Sequence, residues 1–294
     1  MRRLFPSPTT PADLEDREWG LDELADLYAY PGTVEEGRPW LRANMVSSLD
    51  GAAHHEGRSQ PLSSAADMRI FGTLRALADA VVVGAETVRQ EGYRPARARE
   101  AFAARRAGLG QSPAPVIAVV SAGLDLDFSL PLFAEPLVPT LVLTGEAAPA
   151  ERRDAAAAAG VEVVVAGEGR TVDVARIPEL LAARGMTRLL TEGGPRLLGQ
   201  FTAAGVLDEL CLSLAPMVAA GVAPRIAGGP PLEVPRRFAL ASVLEQDGFL
   251  FTRYRAGTGG AVAGTATGAA AAGTAIGTVP GTAAGATIGT ASGA

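Results

Sequence analysis

One cysteine, Cys211, stands in a chain of 294 residues. That excludes a disulfide within the chain and any thiolate-rich zinc site. Basic residues are not in excess either. The 26 Lys and Arg face 32 Asp and Glu, for a formal net charge of −6, so a nucleic-acid-binding face is not expected. No run in the body of the chain is apolar for long enough to span a bilayer. The opening MRRLFPSPTTPADLED has a basic pair without the apolar segment of a signal peptide. The expectation is a cytoplasmic protein with neither membrane nor nucleic acid as partner. A G-x-G-x-x-G after the first strand is missing as well, so the Rossmann fingerprint lends no support to a dinucleotide. The chain does hold 48% hydrophobic residues, ample for the core of one or two domains.

Composition divides the chain into three parts. Residues 1–38 form an irregular N-terminal extension in which only LDELADLYAY has helical spacing, with Leu21, Leu24, Leu27 and Tyr28 on one face. Residues 39–255 alternate strands and helices. WLRANMVSSLDG, DAVVVGA, PVIAVVSA, PTLVLTG, VEVVVAG and MTRLLTEGG read as strands, several of them continuously apolar as in a parallel sheet. Between them, SSAADMRIFGTLRALA starts at a hydroxyl N-cap and sets Met68, Phe71, Leu74 and Leu77 at helical spacing. PAERRDAAAAAG, ARIPELLAARG and PRLLGQFTAAG are further helices, and DELCLSLAPMVAAG and DGFLFTRYR close the domain as two strands with no helix between them. This order predicts an α/β fold with a mostly parallel sheet and antiparallel closing strands. Residues 256–294 are Gly, Ala and Thr without charge, which predicts a flexible tail.

The stretch LLTEGGPRLL combines a strand end, a bare backbone corner and a helix start. In open α/β sheets ligands bind at the carboxyl ends of strands, where loops lead into helices. Gly193 and Gly194 let backbone N–H groups approach an anion. Pro195 suits the first helical turn, the helix N-terminus favours negative charge, and Arg196 adds a cation. A tight turn without a ligand remains the alternative.

Taken together, ANMVSSLDGAA, RSQPLSSAADMRIFGTLRALADAVVVGAETVRQEGYRPAR, LLTEGGPRLLGQF and LCLSLAPMVAAG resemble the reductase domain of bacterial riboflavin biosynthesis. The resemblance covers about 39–255. It implies a dihydrofolate-reductase-like three-layer sandwich and NADPH as cofactor. The activity it implies is reduction of the ribosyl group of 5-amino-6-(5-phosphoribosylamino)uracil, a phosphorylated pyrimidine. It also implies roles for particular residues. Ser59, Arg75, Glu91, Arg97 (less securely Arg94) and Glu192 fall on substrate contacts, with Glu91 or a water as the source of the catalytic proton. Val46, Asp50, Gly84, Thr87 and Ser121 fall on the cofactor side, and Gly193, Gly194, Pro195, Arg196 and Leu197 on the pyrophosphate loop. Pro61 stands where many members have a cofactor-stacking tryptophan, and Glu91 where many have an aspartate. A homodimer is implied too, and the closing strands are expected to be apolar edges that need covering.

His54-His55-Glu56 has the look of a deaminase fragment, but a zinc deaminase also needs P-C-x-x-C, which one cysteine cannot supply. No metal is therefore expected, and the chain reads as a free-standing reductase. Cys211 reads as a small buried hydrophobe. Two alternatives stay open: a related NAD(P)H reductase of another pterin- or pyrimidine-like substrate, and a non-catalytic NADP-binding protein.

Overall fold

The structure is a computed structural model that describes residues 1–7 and 15–257; most of the expected tail lies outside the described residues. The strands are β1 (Arg2–Phe5), β2 (Trp40–Ser47), β3 (Ala80–Gly84), β4 (Val116–Val120), β5 (Leu141–Thr144), β6 (Glu162–Val165), β7 (Arg188–Thr191), β8 (Glu209–Leu214), β9 (Phe238–Gln246) and β10 (Phe249–Ala256). They form one sheet in the order β1-β9-β10-β8-β2-β7-β3-β4-β5-β6. From β8 to β6 every pairing is parallel, while β1, β9 and β10 join antiparallel.

The helices are α1 (Leu21–Leu27), α2 (Ala65–Leu77), α3 (Ala85–Gln90), α4 (Glu100–Gly108), α5 (Pro131–Ala134), α6 (Ala150–Ala158), α7 (Ile177–Ala182) and α8 (Pro195–Ala204). They cover the sheet on two sides because successive strand residues face opposite ways. Val81 and Val83 of β3 meet Leu24 of α1 and Ile70 and Leu74 of α2. Ala80 and Val82 belong to a second core with Ile177 and Leu181 of α7 and Leu197 and Phe201 of α8. The result is the expected three-layer α/β architecture.

Several elements depart from the sequence reading. Arg2–Phe5 is an edge strand, paired with β9, and Met1 and Trp19 are buried in the core together with Leu24 and Tyr28. A third closing strand, β9, forms a hairpin with β10 across Asp247-Gly248. Both of these residues have positive φ (54° and 79°), as a type I′ turn needs. Consequently β8 and β10 are interior strands, and the expectation that they are uncovered edges is corrected: β10 covers β8 and β9 covers β10. In α2 the Ser64 side chain caps as expected, but Met68 is half exposed, and the core face runs through Ile70, Leu74 and Leu77.

The two halves of the sheet meet at β8, between β10 and β2. Glu209 of β8 is fully buried, and so is Arg42, its partner in register on β2. Arg42 Nε lies 2.6 Å from Glu209 Oε1. On the other side, Arg253 of β10 donates to both carboxylate oxygens, at 2.8 and 3.0 Å. It also reaches the carbonyls of Leu27 and Ala29 at the end of α1. Burial alone would raise the Glu209 pKa, but the two guanidinium groups outweigh it and hold the carboxyl at about 2.

Removing one member leaves buried charge uncompensated, so Glu209→Gln should cost about 3–5 kcal/mol in urea denaturation. The folded-state value is depressed below an unfolded value of roughly 4.3. The stabilisation is therefore complete above that point and lost as pH falls towards about 2. The variant should lack this part of the acid slope.

Candidate active site

The sequence stretch with two glycines sits where β7 ends between β2 and β3. Gly193 has φ of +84°, in the region that favours glycine, and Gly194 is the N-cap of α8 with Pro195 in the first turn. The Gly193–Gly194 peptide is cis. From β3, the N–H of Gly84 donates to the Gly193 carbonyl at 2.9 Å. Thr87 of α3 closes the other side, since a Cβ on Gly194 would come within 2.7 Å of Thr87 Oγ1. Leu197 packs against the Gly84 side of the same corner. Five predicted residues thus meet at one point: Gly84, Thr87, Gly193, Gly194 and Leu197. Gly228 donates to the Pro195 carbonyl at 2.9 Å. Its own carbonyl would lie 1.9 Å from a Cβ on Gly199, so the loop before β9 lies tightly on α8.

An anionic group fits this cradle. No acidic residue stands in the first turn of α8, and the first N–H groups of a helix have no partner within it. Arg196 in that turn is exposed and adds a cation. Van der Waals space beside Thr87 would be filled by any side chain at position 194.

Beside the corner, Glu192 and Arg75 hold each other. Arg75 Nε and Nη2 donate to the two Glu192 oxygens at 2.7 and 2.6 Å. Tyr93 completes the group: its hydroxyl donates to Glu192 and accepts from Arg75 Nη2 at 2.6 Å. The guanidinium lies between the rings of Phe71 and Tyr93, at 4.5 and 5.0 Å. Burial works against the Arg75 charge, but Glu192 and Tyr93 win and raise its pKa. Burial and the Glu192 charge push the Tyr93 phenol well above its ordinary value. Tyr93 was not singled out in the sequence; its place two residues after Glu91 was the available signal.

Elsewhere the predicted residues divide. The Ser59 hydroxyl donates to Glu91 Oε1 at 3.2 Å on the exposed rim. Pro61 is exposed in a short 3-10 turn. Val46 is half-buried near the end of β2. Ser121 follows β4 nearly buried, its N–H on the Leu143 carbonyl. Arg94 and Arg97 are exposed and, among the described residues, make no hydrogen bond or ion pair; both line a cleft of about 270 Å³ with Arg75. The Asp50 carboxylate, expected beside the cofactor, accepts from the Ser48 hydroxyl and from the N–H groups of Ala219 and Ala220. The hydroxyl and those two amides hold its pKa at about 2. Cys211 is buried as expected, and burial pushes its thiol up to about 12.

The family model of the RibD C-terminal domain matches residues 39–248. The chain belongs to that family. A relative from Archaeoglobus fulgidus is 33% identical over 63% of this chain and 83% of its own length. It is named 2,5-diamino-6-ribosylamino-4(3H)-pyrimidinone 5′-phosphate reductase. The enzyme of that name from Methanothermobacter thermautotrophicus is 32% identical over 63% of this chain and 81% of its own. Among solved structures, a pyrimidine reductase-like protein of Corynebacterium diphtheriae superposes with TM-score 0.70 at 30% identity. That match covers 79% of this chain and 98% of the other. The dihydrofolate-reductase-like fold expected from the sequence agrees with this family and with the order of the sheet.

The Thr87–Gly194 contact has a direct test. Gly194→Ala should cost about 1–3 kcal/mol by overpacking, and Thr87→Ala in the same chain should restore part of it. A double-mutant cycle in urea should show coupling of at least about 0.5 kcal/mol. Strict additivity would mean that the two residues do not meet as described.

Proposed function

We propose that this chain is an NADPH-dependent reductase that converts the ribosyl group of a 6-ribosylaminopyrimidine 5′-phosphate to the ribityl form, in the cytoplasm. The observation that carries the reading is the glycine corner of Gly193 and Gly194 against Gly84 and Thr87, in a member of a reductase family. A bound dihydronicotinamide supplies the hydride. This chain's residues do the rest. The N–H groups of Arg196 and Leu197 and the Arg196 guanidinium hold the pyrophosphate, with Gly194 leaving room for it. Val46, Asp50, Pro61 and Ser121 bound the cofactor at greater distance, Asp50 by fixing the loop at Ala219 and Ala220. Glu192 and Arg75 present a fixed, paired donor and acceptor to the substrate, and the free Arg97 meets its phosphate. Reduction breaks the C=N π bond of the ring-opened ribosyl imine, the hydride going to the carbon and one proton to the nitrogen; Glu91, held by Ser59 at the rim, or a water there supplies the proton.

Two pyrimidines suit this site and differ by one ring substituent, amino or oxo. The resemblance points to the 5-amino uracil form, whereas the relatives at 32–33% identity carry the diamino name. Both should be supplied, each with and without its phosphate, while NADPH oxidation is followed. Turnover of at least one phosphorylated form, with NADPH bound more tightly than NADH, is expected. Glu192→Gln should lower turnover and leave NADPH affinity unchanged. No turnover of either compound would overturn the reading.

A homodimer belongs to this proposal. On one face of the sheet Leu212, Leu214, Val243, Leu250 and Tyr254 share neighbouring register positions and stay only half-buried. A second copy of the chain would cover them. Sedimentation at micromolar concentration should give a dimer, and Leu212→Glu a monomer. A monomeric wild-type chain would refute the pairing.

A further inference from the structure

The cleft between α2 and residues 94–99 is lined by five arginines, Arg75, Arg94, Arg97, Arg99 and Arg106, and by no carboxylate. In a chain of net charge −6 this is a local concentration of cations against the overall sign. Among the described residues the side chains of Arg94, Arg97 and Arg99 make no hydrogen bond or ion pair. On the same lining, Arg106 is 3% exposed. It donates to the carbonyls of Ser112, Ala76 and Ala78, and its Nη2 is buried without a partner.

Arg99 is held in a particular way. Its guanidinium lies flat on α2 at Gly72: a Cβ there would stand 2.1 Å from Arg99 Nη1 and 2.5 Å from Cζ. Glycine inside a helix weakens it, and no turn or positive φ calls for glycine at this position. What the missing side chain provides is a seat for one guanidinium. We propose that Arg99, seated in the Gly72 notch, is a further specificity-determining residue, gripping a phosphate monoester in this cleft together with Arg97 and Arg94. A planar guanidinium offers paired donors to phosphate oxygens, and three free guanidinium groups around one small cleft satisfy a dianion. Arg75, tied to Glu192, borders both this cleft and the glycine corner. Insofar as the phosphate is that of the reductase substrate, the inference rests on the reading above.

The probe is inorganic phosphate, titrated calorimetrically into the full chain at constant ionic strength without cofactor. Wild type should bind it. Arg99→Gln and Gly72→Ala should each weaken binding roughly tenfold, the scale of one charge-assisted hydrogen bond pair. Arg105→Gln on the neighbouring α4 removes the same charge from a residue already paired with Asp26 and should change nothing. Gly72→Ala should unfold no earlier than wild type, because alanine favours the helix; this separates loss of the seat from loss of the fold. Absence of phosphate binding in wild type, or full binding in both Arg99→Gln and Gly72→Ala, would overturn the proposal while leaving the reductase assay free to succeed. Conversely, Arg99-dependent phosphate binding without pyrimidine turnover would leave this site standing and remove the substrate assignment.

Discussion

The carboxylate of Glu209 is the point on which the two halves of the sheet depend. A parallel strand and an antiparallel strand flank β8, and each sends an arginine to the same buried acid. Two cations and one anion away from water are stable only while all three are present. Arg253 also reaches the last carbonyls of α1, so the same group ties residues near the N-terminus to the sheet. Glu209 opens β8 and Arg42 lies near the start of β2. The cluster therefore lies towards the ends of these strands remote from the glycine corner. Rigidity is set at one end of the strands, and the opposite end is free to carry loops with poor packing and special backbone geometry.

Charge is divided in the same manner around the site. Arg75 and Glu192 neutralise each other before any ligand arrives, with Tyr93 bridging them. Such a pair gives direction and shape to a contact more than net attraction. Beyond it, Arg94, Arg97 and Arg99 have no acid to satisfy them among the described residues. Asp50 is likewise spent on the protein itself: a hydroxyl and two backbone amides hold it, which fixes the loop after β8 against the end of β2. The exposed Asp50 carboxylate is thus a loop anchor here, a role that the sequence pattern S-x-D-G does not announce.

In the parallel half β3, β5 and β7 were legible because each is short, largely apolar and ends at glycine or a hydroxyl residue. The Asp247-Gly248 turn was legible too, yet its first strand was not. FALASVLEQ is rich in Ala, Leu and Glu, residues that favour helices, and it is a strand only because β10 and β1 pair with it. Arg2–Phe5 has no apolar alternation, and its pairing partner lies some 240 residues away, so nothing local announces it. The glycine corner could be read from Gly193 to Leu197 since backbone needs leave a residue signature. Arg75 and Glu192 could be named singly, but their mutual hydrogen bonds depend on how α2 packs against β7. Arg99 carried no local sign at all: its seat is a glycine 27 positions earlier in the chain, and only the packing of α2 beside residues 94–99 joins them.

This separation of parts bears on how the site sets its specificity. The glycine corner is built largely from backbone and small residues, Gly84, Thr87, Gly193 and Gly194, and an atom added at Gly194 collides with Thr87. The opposite wall, from Ser59 through Arg75 and Glu91 to Arg99, is built from polar side chains, Ser59 paired with Glu91 and Arg75 with Glu192, and the guanidinium groups of Arg94, Arg97 and Arg99 unpaired among the described residues. Two links join this wall to the corner: the Arg75–Glu192 pair bridged by Tyr93, and the bond from the Glu91 N–H to the Thr87 carbonyl. Pro61 and Glu91, the two positions at which this chain departs from its family's pattern, both lie outside the corner, on exposed surface near the Ser59 rim. Departures at such positions leave the packing of the glycine corner intact and alter the charge and shape of the exposed rim.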